Sequence, residues 1–320
     1  MDHRHPHPGA PASASTPGPS GETVPGAGLD APRLVVLGRA QDGGLPHLGC
    51  RRPCCLHARR EGRIELPACL GLIGPGDRTL HLVEATPAIV EQVERLHELA
   101  CGRPSDGPLL DGILLTHAHI GHYLGLAQLG REVAGTSRLP LHVSPRVAGL
   151  LRTNQPWGQL VELEQVLLEC FEPGGSLSLI PGVVVEPVPV PHRDEFFDTM
   201  ALRFRGPEHS VLFLPDIDSW DAPELPAGFL EGLVDEVDVA YLDGTFYDGR
   251  ELPPGRIRSI PHPPMVDTMD RLSERARARP GAIRFTHLNH NNPALHEPDL
   301  RRRIEDRGFR LAEPHEVVGL

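Results

Sequence analysis

The chain has 320 residues, with 31 Lys and Arg against 43 Asp and Glu, and a formal net charge of −12. That balance argues against a nucleic-acid partner, because phosphate binding depends on basic side chains that release counterions. No apolar run approaches the roughly 20 residues that cross a bilayer, so no membrane partner is expected, while 39% hydrophobic content suffices for a substantial core.

Residues 1–30 are rich in Pro, Gly, Ala, Ser and His. They lack the apolar stretch of a secretory signal and are expected to form a disordered tail. Cytoplasmic residence with reduced thiols is the accompanying expectation. Arg33 to Gly38 reads as the first strand and enters a Gly-, Pro- and Cys-rich loop from Arg39 to Cys55. Pro67 to Ile73 and Thr79 to Glu84 flank the turn Gly74-Pro75-Gly76-Asp77 and read as a hairpin. A strand rather than a helix follows Gly76, so this is not a nucleotide loop. Thr86-Pro87 predicts an N-cap and a Pro at the first helical position, with Ile89, Val93, Leu96 and Ala100 on the inward face.

Gly112 to Leu115 is a short buried strand, and His117, His119 and His122 follow it at once. Gly121 to Gly130 is expected to be helical, with Leu124 and Leu129 inward. Leu139 to Val143 is a strand, and Ser144-Pro145 starts a helix over Arg146 to Thr153. A strand over Gly182 to Val190 ends at His192. Met200 to Arg205 and Val211 to Leu214 form a hairpin whose second strand ends at Asp216. Val237 to Leu242 ends at Asp243-Gly244-Thr245, and Ala282 to Thr286 ends at His287. Helices are expected over Met265 to Ala278 and Glu297 to Arg307, and a short strand near Glu316 closes the chain. Strands with hairpins, then helices and further strands, occur twice, which suits two packed sheets with helices outside.

Glu84, His117 to His122, His192, Asp216 and His287 each stand just past a predicted strand. Strand ends on one sheet edge converge on a cleft, and neutral imidazole is the commonest metal ligand. Gly121 is the odd position, standing where a carboxylate is expected between the second and third ligand histidines.

The run His117-Ala118-His119-Ile120-Gly121-His122, followed by His192, Asp216 and His287, resembles the metallo-β-lactamase superfamily, whose signature is His-x-His-x-Asp-His and then a His, an Asp and a His. The resemblance implies a four-layer αββα fold of α/β class, as one domain over residues 31–320. It implies a first metal held by His117, His119 and His192, and a second held by His122 and His287, with Asp216 bridging. Glu84 stands in the place of a structural Asp. Within the superfamily, Gly38 to Cys50, Asp243-Gly244-Thr245-Phe246, His287-Leu288-Asn289 and Asn292-Pro293 resemble PqqB-like proteins. The cysteine cluster and the spacing of His287 and His290 resemble PhnP-like phosphodiesterases.

With Gly121 in the carboxylate's position, the second site is expected to keep two histidines and one shared aspartate, the facial arrangement of non-haem iron oxygenases. The first keeps three histidines, which suits zinc. One or two divalent ions (Zn, or Fe/Mn) are therefore expected, with a small-molecule substrate. The leading reading is a hydrolase of a small ester or phosphodiester acting through metal-bound hydroxide. The alternative is a PqqB-like iron-dependent oxidoreductase in cofactor or small-molecule biosynthesis, and a non-catalytic metal-binding protein is third.

Cys50, Cys54 and Cys55 are clustered, and thiolates prefer zinc in four-ligand structural sites. By the PhnP-like resemblance, His290 would complete that set, with His57 as the other candidate. Cys69, Cys101 and Cys170 are expected in the core. The catalytic candidates beside Asp216 are His262, as acid or base, and Asp243, orienting a ligand or touching substrate. Asp42 and Arg193 are further cleft candidates, Arg193 suiting an anionic substrate, and Asp218 is expected to be solvated.

Overall fold

A computed structural model describes residues 31–104, 106–252 and 260–320. The expected N-terminal tail lies outside them. The first half of the chain comprises β1 (Arg33–Gly38), α1 (Pro53–Glu61), β2 (Cys69–Ile73), β3 (Leu80–Val83), α2 (Ile89–Leu99), β4 (Gly112–Leu114), α3 (Ile120–Tyr123), β5 (Leu139–Val143), α4 (Pro145–Thr153), α5 (Trp157–Glu162) and β6 (Val166–Cys170). The second half comprises β7 (Leu177–Ile180), β8 (Val183–Val190), β9 (Thr199–Arg205), β10 (Ser210–Leu214), α6 (Phe229–Asp235), β11 (Val239–Asp243), α7 (Met265–Arg271), α8 (Ser273–Ala278), β12 (Ile283–Thr286), α9 (Pro298–Asp306), β13 (Arg310–Leu311) and β14 (Val317–Gly319).

The strands form two sheets, ordered β14-β1-β2-β3-β4-β5-β6 and β13-β12-β11-β10-β9-β8-β7. In each, antiparallel hairpins give way to parallel strands, at β3–β4 and at β10–β11. Parallel neighbours need a crossover, and the helices supply it. Central strands are buried on both faces and so read as continuous apolar runs. Alternation decides which face each residue serves. Leu34, Val36, Leu72 and Val83 meet Leu202, Phe204, Phe213 and Tyr241 between the sheets. Val35, Leu37 and Leu82 instead face Ile89, Val93 and Leu96 of α2. The expected αββα layering is what forms.

Several local expectations change. Thr86 does not cap α2; its hydroxyl accepts from the amide of Ala88 and donates to the buried Gln92, and the helix starts at Ile89. Leu124 to Leu129 is a 3₁₀ helix, and its tighter turn puts Leu126 and Leu129 inside while Leu124 is exposed. The helix expected over Met265 to Ala278 is two helices meeting at Leu272. Pro53 at the first turn and Gly62 at φ 65 delimit α1 inside the cysteine loop. Cys69 is buried, but Cys101 and Cys170 are exposed, because one lies in the turn after α2 and the other ends edge strand β6.

The strand ends carry the site. β1 and β3 run the same way because both are antiparallel to β2, and β4 is parallel to β3. β8 and β10 share a direction because both are antiparallel to β9, and β11 and β12 continue it. Truncating the inter-sheet core at Phe204→Ala should cost about 3–5 kcal/mol of unfolding free energy in chemical denaturation; a loss below about 1 kcal/mol would contradict this packing.

Candidate metal centre

The cleft residues follow strands: Asp42 after β1, Glu84 after β3, His117 after β4, His192 after β8, Asp216 after β10 and His287 after β12. Three of them, Asp42, Glu84 and His287, have positive φ angles of 21, 77 and 57°, and Arg193 has 41°. Such backbone costs on the order of 1–3 kcal/mol per residue and collects at functional sites.

Three histidine nitrogens converge first. His119 Nδ1 lies 3.1 Å from His117 Nε2 and 3.1 Å from His192 Nε2. Proton counting decides what this means. His192 Nδ1 is 2.9 Å from the Asp218 carboxylate, which can only accept, so Nδ1 carries the proton and Nε2 a lone pair. The Thr116 hydroxyl donates to Glu84, so it accepts from His117 Nδ1 at 2.8 Å, and His117 Nε2 is also a lone pair. One proton on His119 cannot serve both. Three imidazole nitrogens bound to one ion at 2.0–2.1 Å in tetrahedral geometry stand about 3.3 Å apart. The donors fit a metal. Burial holds the His117 imidazole well below its ordinary range and His119 down to about 4, so both stay in the neutral, ligating form.

A second group adjoins it. His287 Nδ1 is 3.0 Å from the Thr245 hydroxyl, which itself donates to Asp243 at 2.7 Å, so His287 Nε2 is unprotonated. That atom is buried with no hydrogen-bond partner. His122 turns Nδ1 toward Glu84 at 3.3 Å and Nε2 toward Asp216 at 3.2 Å. Asp216 Oδ2, a buried acceptor without a hydrogen-bond donor, lies 3.4 Å from His287 Nε2, and Oδ1 lies 3.5 Å from His192 Nε2. Asp216 therefore stands between the two groups, as a bridging ligand would. Burial opposes charge on His122, but Glu84, Asp216 and Asp42 outweigh it and raise its pKa well above the ordinary value. The pocket is a well for positive charge.

Two expectations change here. Asp42 stands beside His122 and His287, so a carboxylate besides Asp216 adjoins the second group. Asp218 is not simply solvated; it holds His192 and accepts from the amide of Arg193 at 3.2 Å. Thr116 and Thr245 also belong to the site, and the signal for each is its place beside a conspicuous residue, Thr116 preceding His117 and Thr245 following Asp243 by two.

Asp243 has no free oxygen for substrate. One accepts from the amide and hydroxyl of Thr245, the other from the amide of Ile217 at 3.1 Å and from His262 Nδ1 at 2.7 Å. It is a positioning residue. His262 is buried beside the centre, with Nδ1 4.0 Å from Asp216. Burial disfavours its charge, yet Asp243 prevails and raises its pKa to about 9. Arg193 lies exposed on the turn after His192.

The sulfurs of Cys50, Cys54 and Cys55 and a ring nitrogen of His290 lie within 4.8 Å of one another, so all four expected ligands meet. Adjacent Cys54 and Cys55 both reach because they occupy the first turn of α1. His57 does not belong. It pairs with Glu61 at 3.0 Å on the solvent side of α1. Burial, followed by its cysteine neighbours, pushes the Cys55 thiol up to about 11, and an ion would have to displace that proton. Among the described residues no helix is long and apolar enough to cross a membrane.

Known proteins share this architecture. The chain is 24% identical to coenzyme PQQ synthesis protein B of Rhizobium meliloti (strain 1021), over 87% of this chain and 95% of that protein. It is 25% identical to the protein of that name from Methylobacterium sp. (strain 4-46), over 88% of this chain and 97% of that one. Zinc-bound PqqB from Methylobacterium extorquens superposes with a TM-score of 0.71 at 18% identity, covering 90% of this chain and all of that one. A diphosphatase from the PhnP family superposes at 0.64 with 22% identity, over 90% and 97% of the two chains. Those two likenesses concern the fold, which the PqqB and PhnP structures share with this protein. The model of the β-lactamase superfamily domain matches residues 81–288, more than half of the chain, and the protein belongs to that superfamily.

Proposed function

We propose that this protein is a metal-dependent hydrolase of a small ester or phosphodiester. The observation that carries the reading is the pair of donor groups bridged by Asp216 with the His262–Asp243 pair beside them. His117, His119 and His192 would hold one divalent ion, and His122 and His287 a second. When bound, such ions supply Lewis acidity and lower the pKa of water. Thr116, Glu84, Asp218 and Thr245 fix the tautomer and tilt of the ligand rings, which maintains affinity.

His262 is the proton donor. Its Nδ1 is committed to Asp243, which leaves Nε2 for the leaving-group oxygen. The Asp243 carboxylate accepts from Nδ1 and favours the protonated ring, as a general acid requires. Arg193, on the rim, would meet an anionic group of the substrate. Zinc at Cys50, Cys54, Cys55 and His290 would tie the first loop to the last without chemistry of its own.

One observation favours a second reading. The relatives named for coenzyme PQQ synthesis match most of the chain, which supports a role in the biosynthesis of a cofactor or small molecule; an iron-dependent oxidoreductase is the alternative chemistry for that role. Activity decides between the two. Protein loaded with Zn or Mn should turn over chromogenic phosphodiesters or esters; no turnover across that panel, with oxygen uptake by iron-loaded protein on a tyrosine-derived substrate, would reverse the assignment.

His262→Ala should lower kcat by about 10²–10⁴-fold on substrates with poor leaving groups and far less on nitrophenyl substrates, with metal content unchanged. Equal losses on both classes would mean that His262 is not the acid. Cys55→Ser should remove one zinc per chain and lower the melting temperature; an unaltered zinc count would dismiss the structural site.

A further inference from the structure

We infer that Asp42 supplies the carboxylate of the second metal site that the superfamily signature places at position 121, so that carboxylates at 42 and 121 exclude one another. The inference deepens the two-ion reading above and rests on it. Gly121 occupies the signature's aspartate position between His119 and His122. A Cβ added there would stand 2.0 Å from Asp42 Oδ1 and 2.6 Å from its Cα and Cγ. The space beside Gly121 is already filled by Asp42, by its Cα as well as its carboxylate.

The filling oxygen is aimed at the ligand atoms. Asp42 Oδ1 lies 3.5 Å from His122 Nε2 and 3.6 Å from His287 Nε2. The His287 proton sits on the other nitrogen, toward Thr245. The two carboxylates and the His287 lone pair repel one another unless a cation lies among them. Asp216 Oδ2 approaches the same two nitrogens, so two imidazoles and two carboxylates surround one point. That set suits a divalent ion better than the two-histidine, one-aspartate remnant expected from the sequence.

The loop is held for this purpose. Asp42 has φ 21, which disfavours a residue with a side chain. The amide of the preceding Gln41 donates to Leu288 O at 2.9 Å, next to His287, and Ala40 pairs with Leu288. Farther along, the His47 ring lies 4.6 Å from the His290 ring, beside the cysteine cluster. The segments bearing Asp42 and His287 are thus joined on both sides of their ligands. A carboxylate delivered by a neighbouring loop can replace one lost from the histidine motif, provided the motif residue has no side chain.

The test is metal stoichiometry and affinity, read by elemental analysis and chelator competition on the full chain. Wild-type protein should hold one more active-site ion than His122→Ala. Asp42→Asn, which keeps the side chain's shape, should weaken that ion at least about 100-fold, beyond the usual effect of an outer-shell partner, and leave the other ions in place. Asp42→Gly should lose it likewise. Retention of the ion at wild-type affinity in Asp42→Asn would overturn the inference, as would a wild-type count no higher than that of His122→Ala. Failure of the hydrolase reading looks different: normal ion counts without turnover.

Discussion

His119 Nδ1 stands 3.1 Å from both His117 Nε2 and His192 Nε2, and the protons available cannot satisfy all three atoms. That constraint governs the cleft. Three of the ligand rings give their protons to partners on the far side: His117 to Thr116, His192 to Asp218, His287 to Thr245. The near sides are left as lone pairs and carboxylate oxygens in a buried volume, an arrangement that costs free energy unless a cation occupies it. The rest of the molecule maintains this convergence against the tendency of polar groups to turn toward water.

The two sheets make the convergence possible. Parallel strands β3–β4 and β10–β12 end on one edge, and the hairpin topology brings β1 and β8 to the same edge. Six short loops then need to extend only a few residues to reach a common point. Behind them, buried Glu84 and Asp243 each serve two elements. Glu84 reaches Thr116 and His122, and Asp243 reaches Thr245, Ile217 and His262. The strained backbones of Glu84 and His287 are held by the packed strands that precede them.

Much of the fold was legible because burial on both faces writes strands as apolar runs, and because Gly-Pro turns separate them. Leu34 to Leu37 and Val211 to Leu214 are plain in that sense. The departures have local causes. A 3.6-residue period places Leu124 inward, whereas the segment winds with three residues per turn. Cys101 and Cys170 are apolar-looking residues at positions that the ends of elements expose. The helix α1 was hidden because its sequence reads as a cysteine loop, although Pro53 and Gly62 mark its limits.

The sequence by itself determined the ligand types and their positions past strand ends, because strand direction carries side chains at corresponding ends to one edge; that His290 rather than His57 joins Cys50, Cys54 and Cys55 was open until the chain folded. It could not show that Gly121 leaves room for Asp42, since residues 79 apart meet through the pairing of β1, β2, β3 and β4. Nor could it show that Asp218 orients His192, because a hydrogen bond between loops depends on angles that no spacing encodes. Ligand chemistry is a property of residues, and proton position a property of neighbours; the first is written along the chain, and the second exists only once the chain has folded.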